Sequence, residues 1–170
     1  MNARHSKENP NWQTPPEWVQ RAWQVLGKIA DVDPFTTHEA PQTSLRRITP
    51  LEDGFTSSWG SGCAFVNHPG GTTKRAWKKL LEELGAGIDA AVWIGFSVEQ
   101  LNILADAPLH PLDFSTVHLR KRIDFIDDAT GKPGGRPGHG NYITAMGVSR
   151  ASFDQIFGPF GKCTHGKLST

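Results

Sequence analysis

Residues 63–77 read CAFVNHPGGTTKRAW. An apolar run, Ala64-Phe65-Val66, stops at Asn67-His68-Pro69, and two glycines and a basic segment follow. A polar residue at the tip of a buried strand, followed by proline and glycine, marks a loop that presents a side chain to a ligand. Asn67 offers a carboxamide. Its carbonyl can accept hydrogens from a conjugated amine, a poor nucleophile because its lone pair is delocalised, and so favour a more tetrahedral nitrogen. Pro69 stiffens the loop. His68 brings a ring that can orient a ligand or move a proton near neutral pH. Two carboxylates stand in comparable places, Asp33 before Pro34-Phe35 and Asp53 before Gly54.

The elements that must hold these residues alternate between helix and strand. Pro15-Pro16-Glu17 reads as a helix start, with Thr14 as N-cap and Glu17 closing a capping box. Trp18, Val19, Ala22, Trp23 and Leu26 then recur at helical spacing, up to a stop at Gly27. Residues 29–33 form a short strand broken by Pro34, and residues 36–58, rich in Pro, Thr and Ser, read as irregular with short elements. Residues 64–66 are a second strand. Residues 73–84 make an amphipathic helix, with Ala76, Trp77, Leu80, Leu81 and Leu84 inward and Lys74, Arg75, Lys78 and Lys79 outward. A strand at 88–96, a helix at 98–105 and a short strand at 117–119 follow. Residues 122–126 and 142–148 look like two strands around the Gly/Pro-rich stretch 131–140, and residues 151–157 close with a helix. This alternation gives one α/β domain over residues 1–170, its mostly parallel sheet ending in an antiparallel pair. Ligands bind such sheets at the carboxyl ends of the strands, beside a topological switch point. Residues 1–11 are polar and read as a flexible terminus.

A chain of 170 residues suits one domain, and 37% hydrophobic with 21% charged residues is the composition of a soluble globular protein. The net charge of +1 announces neither nucleic acid nor membrane, so any charged surface is a local patch. Cys63 and Cys163 make a poor disulfide framework, which favours a reducing cytoplasm. No apolar stretch approaches the ~18 residues of a membrane span, so no membrane partner is expected. His110, His118, His139 and Cys163-Thr164-His165 lack paired ligand spacing, and no metal site is expected.

Five fragments occur in order: Trp12-Gln13-Thr14-Pro15 before a helix, Asp33-Pro34-Phe35, Ile48-Thr49-Pro50 followed by Glu52-Asp53-Gly54, the Asn67 loop, and RIDFIDDATGKP at 122–133. From Trp12 to Met146 this set resembles the bacteriophage-type, Dam-like DNA N6-adenine methyltransferases. The resemblance implies a Rossmann-like class I methyltransferase fold, S-adenosyl-L-methionine as donor, and the exocyclic amine of adenine in DNA as acceptor. It places the protein in the cytoplasm of a phage-infected or lysogenic bacterium. Asn67, His68 and Pro69 would then form the catalytic loop, and Thr14, Pro15, Asp33, Pro34, Phe35 and Asp53 the donor site. Lys74, Arg75 and Lys78, directly after that loop, would meet DNA, as would Lys132 and Arg136 in the 131–140 stretch.

The family's Asn-Pro-Pro-Tyr is Asn67-His68-Pro69-Gly70 in this chain, so one proline and the stacking aromatic are replaced. Base–aromatic stacking contributes about 1–3 kcal/mol per base, and its loss weakens capture of a flipped base unless Phe65, Trp77 or Trp93 substitutes. The space freed at Gly70, with His68, Lys74 and Arg75 as donors, also suits transfer of a larger group. A carboxymethyl group from carboxy-S-adenosyl-L-methionine is one example. From another class, a catalytically silent DNA-binding domain is the alternative.

Overall fold

The computed structural model describes residues 12–134 and 140–170. The expected flexible terminus, residues 1–11, and Arg136 lie outside the described residues. In chain order the elements are β1 (Trp12–Gln13), α1 (Pro16–Leu26), β2 (Ala30–Asp33), β3 (Ser44–Arg47), β4 (Gly62–Val66), α2 (Thr73–Leu84), β5 (Ile88–Gly95), α3 (Glu99–Ile103), β6 (Ser115–Leu119), β7 (Ile126–Asp127), β8 (Tyr142–Met146), α4 (Arg150–Phe157) and β9 (Gly161–His165). Seven strands form one sheet in the order β3-β2-β4-β5-β8-β6-β9, and β1 pairs with β7 in a separate antiparallel ribbon.

Strand alternation divides the core. Phe65, Val92, Ile94, Val117 and Ile143 point to the face covered by Trp18, Val19 and Ala22 of α1 and by Phe153 and Phe157 of α4. Val66, Ala91 and Trp93 point to the opposite face, against Ala76, Trp77 and Leu80 of α2. Helices on both faces make this a three-layer α/β domain. Pairing is parallel from β3 to β5, and β8 is antiparallel to both β5 and β6. β6 therefore runs with the parallel set, and only β8 and β9 are reversed.

Several expectations change. α1 starts at Pro16, Pro15 is its N-cap residue, and no side chain caps it. Thr14 stands one residue too far upstream to close a capping box. Residues 122–126 and 142–148 do not pair with each other: β7 joins β1, while β8 is inserted between β5 and β6. Every residue of β8 is buried, which only an interior strand covered on both faces can satisfy. The two reversed strands are consequently not neighbours. β3 is the short strand within the otherwise irregular stretch 36–58, as expected, and the C-terminal tail adds an unexpected β9. Among the described residues no helix is long and apolar enough to cross a membrane, and Cys63 and Cys163 are free thiols.

α2 spans the expected residues, but Lys79 is not on its solvent face. Its ammonium contacts Glu83 Oε1 at 2.5 Å, and Glu83 Oε2 accepts the backbone N–H of Trp59 at 3.0 Å. Glu83 is buried, so its charge is satisfied only through these two partners. Glu83→Ala leaves a partly buried ammonium and a buried N–H unpaired, a loss of about 3 kcal/mol that lowers the melting temperature by roughly 6–12 °C. Replacing both charges, Lys79→Met with Glu83→Gln, removes the unpaired ammonium and keeps an acceptor for Trp59 N–H, and is expected to recover most of that loss in the same thermal melt.

Candidate functional site

From β2 the chain moves outward to β3, then returns to lay β4 on the other side of β2. Connections thus leave the carboxyl ends of β2 and β4 in opposite directions, the arrangement that opens a crevice in an α/β sheet. Pro34-Phe35 follows β2 and Asn67-His68-Pro69 follows β4, and both line one cleft. The turn carrying Thr49, Pro50, Asp53 and Gly54 forms another wall, and residues 12–14 cross one side as a strap. The cavity between them is about 210 Å³, an open crevice lined by aromatic rings, prolines and hydroxyls.

Asn67 sits at the junction of loop and strap. Its Nδ2 donates to the carbonyl of Trp12 at 2.7 Å and to Thr14 Oγ1 at 3.1 Å. Turning the amide over would set two carbonyl oxygens against each other at 2.7 Å, so the orientation is fixed by chemistry. Oδ1 is left with no donor among the described residues. The half-buried Asn67 thus holds an amide carbonyl ready to accept a hydrogen beside the cleft.

The rest of the loop is differently arranged from the expectation. His68 is 7% exposed and its ring lies 4.5 Å from that of Trp93. Nδ1 donates to the Pro69 carbonyl at 2.9 Å, and Nε2 lies 3.4 Å from Gln100 Nε2, which also donates to Thr73 Oγ1. Burial holds its pKa below the usual histidine value, against a weaker opposing pull from the Pro69 carbonyl. The ring acts as a clamp on the loop, with Nδ1 committed to Pro69 and Nε2 facing Gln100, while the residue still contributes to the cleft lining. The Pro69 carbonyl accepts from His68, from the Thr72 backbone and from the Thr72 hydroxyl, so it is fully engaged. Gly70 is exposed, and a Cβ there would meet nothing within 4 Å. Trp77 and Trp93 are buried in the core and do not fill that space.

Asp33 is 3% exposed and does not line the cleft; its two oxygens are turned to local partners. Oδ1 accepts the Phe35 N–H at 3.0 Å and Oδ2 the Thr43 hydroxyl at 2.6 Å. It shapes the Pro34-Phe35 turn. Burial raises its pKa from 3.8 to about 6, offset in part by those hydrogen bonds and by the Arg47 charge. Pro15 is likewise buried and outside the cleft wall. Thr14, Pro34, Phe35 and Asp53 are brought together there. Asp53 has φ 57° and caps Phe55 N–H at 3.0 Å, an Asx turn in the left-handed region that Asp tolerates. Next to it, a Cβ on Gly54 would lie 1.9 Å from the Pro34 carbonyl oxygen, so only glycine lets the turn close against β2.

Sequence reasoning gave no role to the side chains of Thr37, Phe55, Arg47 and Asp128. Phe35 and Phe55 pack at 4.7 Å between centroids, and the Arg75 guanidinium lies 4.0 Å over Phe55. Arg47 Nη1 lies within 2.8–3.2 Å of the carbonyls of Thr37, His38 and Ala40 and so holds the loop above β3. Thr37 lines the cleft, yet its Oγ1 is enclosed without a hydrogen-bond partner among the described residues. Such residues carry no local pattern; only the clustering of threonines at 36–49 hints at hydroxyls near a ligand.

The basic residues separate. Arg75 faces the cleft rim, whereas Lys74 and Lys78 flank a second groove between α2 and the segment after α3. Lys132 is exposed in the turn that follows β7. Among the described residues no group of three His, Cys, Asp or Glu side chains could hold a metal ion. Ser115, His165 and Asp154 are linked in hydrolase-triad order at 2.9 and 2.9 Å, but Ser115 is 1% exposed within β6 and lies outside the cleft. That chain of bonds fastens β9. No protein-family model, curated protein or solved structure matches the chain.

Asp33 gives the site a pH signature. Below 3.8 the acid is neutral folded or unfolded; as pH rises through about 6 it must ionise in an apolar interior, and stability is lost. The interval between the two values corresponds to about 3 kcal/mol by pH 7. Asp33→Asn keeps an acceptor for Phe35 and carries no charge. Its melting temperature relative to wild type should therefore climb between pH 4 and pH 7. A difference that stays constant over that range would remove the buried charge as the cause.

Proposed function

We propose that the chain is a Rossmann-like, class I transferase that moves a methyl group from S-adenosyl-L-methionine to the N6 amine of adenine in DNA. The observation that carries this reading is the Asn67 carboxamide, its nitrogen anchored and its carbonyl free, at a switch-point cleft. Support comes also from the order of strands, in which the motif-bearing ends of β2 and β4 are adjacent.

The cleft suits the donor. Phe35, Phe55, Pro34 and Pro50 offer apolar surface for a flat base, while Asp53 offers a carboxylate to hydroxyl or ammonium groups. The unpartnered Thr37 hydroxyl is the kind of group that a polar ligand completes. When bound, S-adenosyl-L-methionine supplies an electrophilic methyl group on a sulfonium sulfur. The chain's own part is to present the acceptor. Asn67 Oδ1 would accept one hydrogen of the adenine amine. The carbonyl of His68, which accepts nothing among the described residues, is the nearest backbone candidate for the second, because that of Pro69 is engaged. Arg75 over the Phe55 ring and the exposed Lys132 would neutralise phosphates.

Transfer of a larger group draws on the open space at Gly70. It loses His68 as a donor, since that ring is committed to Pro69 and Gln100. Methyl transfer is therefore the leading reading. Duplex DNA incubated with either S-adenosyl-L-methionine or its carboxylated form, then digested to nucleosides for mass spectrometry, decides the matter. N6-methyladenine is expected, and Asn67→Ala should lower its rate about a hundredfold or more with donor affinity unchanged. Absence of any adenine adduct with both donors would overturn the reading.

A further inference from the structure

The strap that carries Thr14 makes contacts that a donor-binding segment does not need. Thr14 is buried, and its Oγ1 accepts from Asn67 Nδ2 at 3.1 Å. The neighbouring contact comes from the Trp12 carbonyl, 2.7 Å from the same nitrogen. A primary amide nitrogen has two hydrogens, so these two acceptors use both. With both hydrogens held, rotation of the carboxamide about χ2 breaks two bonds at once. The plane of the amide, and with it the direction of the Oδ1 lone pairs, is set by the strap.

Independent contacts hold the strap itself. Trp12 and Gln13 pair with Asp127 and Ile126, and Gln13 Nε2 donates to Asp128 Oδ1. The Trp12 ring lies so close to Gly134 that a Cβ there would fall 1.8 Å from it. β7 in turn is closed by the turn in which Asp127 N–H donates to the Lys132 carbonyl at 2.9 Å. Lys132 thus belongs to the same unit that fixes the strap.

We propose that Thr14 is a positioning residue for the Asn67 carboxamide and not a contact to the donor. The strap Trp12–Thr14, braced by β7 and the Lys132 turn, is an orienting arm of the catalytic loop. This inference rests on the transferase reading and assigns the site a second component, distant in sequence, that sets how well the amide meets the acceptor amine.

Thr14→Val removes the hydroxyl at nearly constant volume, and Thr14→Ser restores it. Methyl transfer to duplex DNA, S-adenosyl-L-homocysteine affinity by calorimetry and thermal melts are measured for wild type and both variants. The side-chain amide resonance of Asn67, assigned by its disappearance in Asn67→Asp, reports hydrogen exchange without reference to turnover. Thr14→Val is expected to lower kcat about tenfold, the effect of one orienting hydrogen bond. It should leave affinity for the homocysteine product within about twofold and speed exchange of the Asn67 amide, with Thr14→Ser close to wild type in all three. Thr14→Val with weakened ligand affinity at unchanged kcat would overturn the proposal in favour of donor contact. Unchanged kcat together with unchanged amide exchange would overturn it outright. Wild type that modifies no adenine brings down the transferase reading itself, an outcome distinct from the other two.

Discussion

Two neighbouring parallel strands, β2 and β4, hand the chain to connections that diverge, and a cleft opens beside their carboxyl ends. Backbone polar groups at such a seam must find side-chain partners or face solvent. The two strands solve this with related residues used in opposite senses. After β2, Asp33 turns inward and spends both carboxylate oxygens on Phe35 N–H and the Thr43 hydroxyl. After β4, Asn67 spends its amide nitrogen on the strap and leaves its carbonyl without a donor among the described residues. One residue builds the seam and the other leaves it chemically open.

The walls of that seam depend on α2 twice. Its first turn follows directly from the Asn67 loop, with the Pro69 carbonyl bonded to Thr72. Its last turn presents Glu83, held by Lys79, to the backbone of Trp59, and the Trp59 indole donates to the Gly54 carbonyl at 2.8 Å. Gly54 in turn presses on Pro34 at the opposite wall. A single helix thus braces both sides. The strained and buried features nearby, Asp53 at φ 57° and the raised pKa of Asp33, are stability losses tolerated where geometry matters more.

Local periodicity made much of this legible. α2 spans the expected residues because its apolar stripe is strong, and β4 and β5 announce themselves as continuous apolar runs. β3 and β9 carry edge-strand sequences, SLRR and GKCTH, whose polar residues lack both signals. The position of β8 between β5 and β6 is a matter of long-range pairing, invisible in a pattern of five residues. At the site, strand-end residues were readable from order along the chain. Bonds between residues 55 and 53 positions apart, from Asn67 to Trp12 and Thr14, were not. Thr14 was read as a helix cap because Ser and Thr before proline so often cap; here its hydroxyl serves another element. Lys79 was read as solvated because nothing local marks Glu83 as buried.

His68 and Gly70 stand where the loop that the sequence resembles carries a proline and an aromatic, and in the proposed reading they separate holding the amide from gripping a base. A proline at position 68 would stiffen the loop through its ring. His68 reaches a comparable stiffness by stacking on Trp93 and by tying Nδ1 to the Pro69 carbonyl, so the turn after Asn67 stays pinned. Gly70 has no such replacement, and its side of the loop is open. The cleft's aromatic lining comes instead from Trp12, Phe35, Phe55 and Phe65, with the Arg75 guanidinium over Phe55. In the transferase reading, the departures leave amide geometry intact and move the weight of substrate capture from stacking on the catalytic loop to charge at its rim. Under that proposal DNA would be held chiefly through phosphates, with binding that weakens as salt rises.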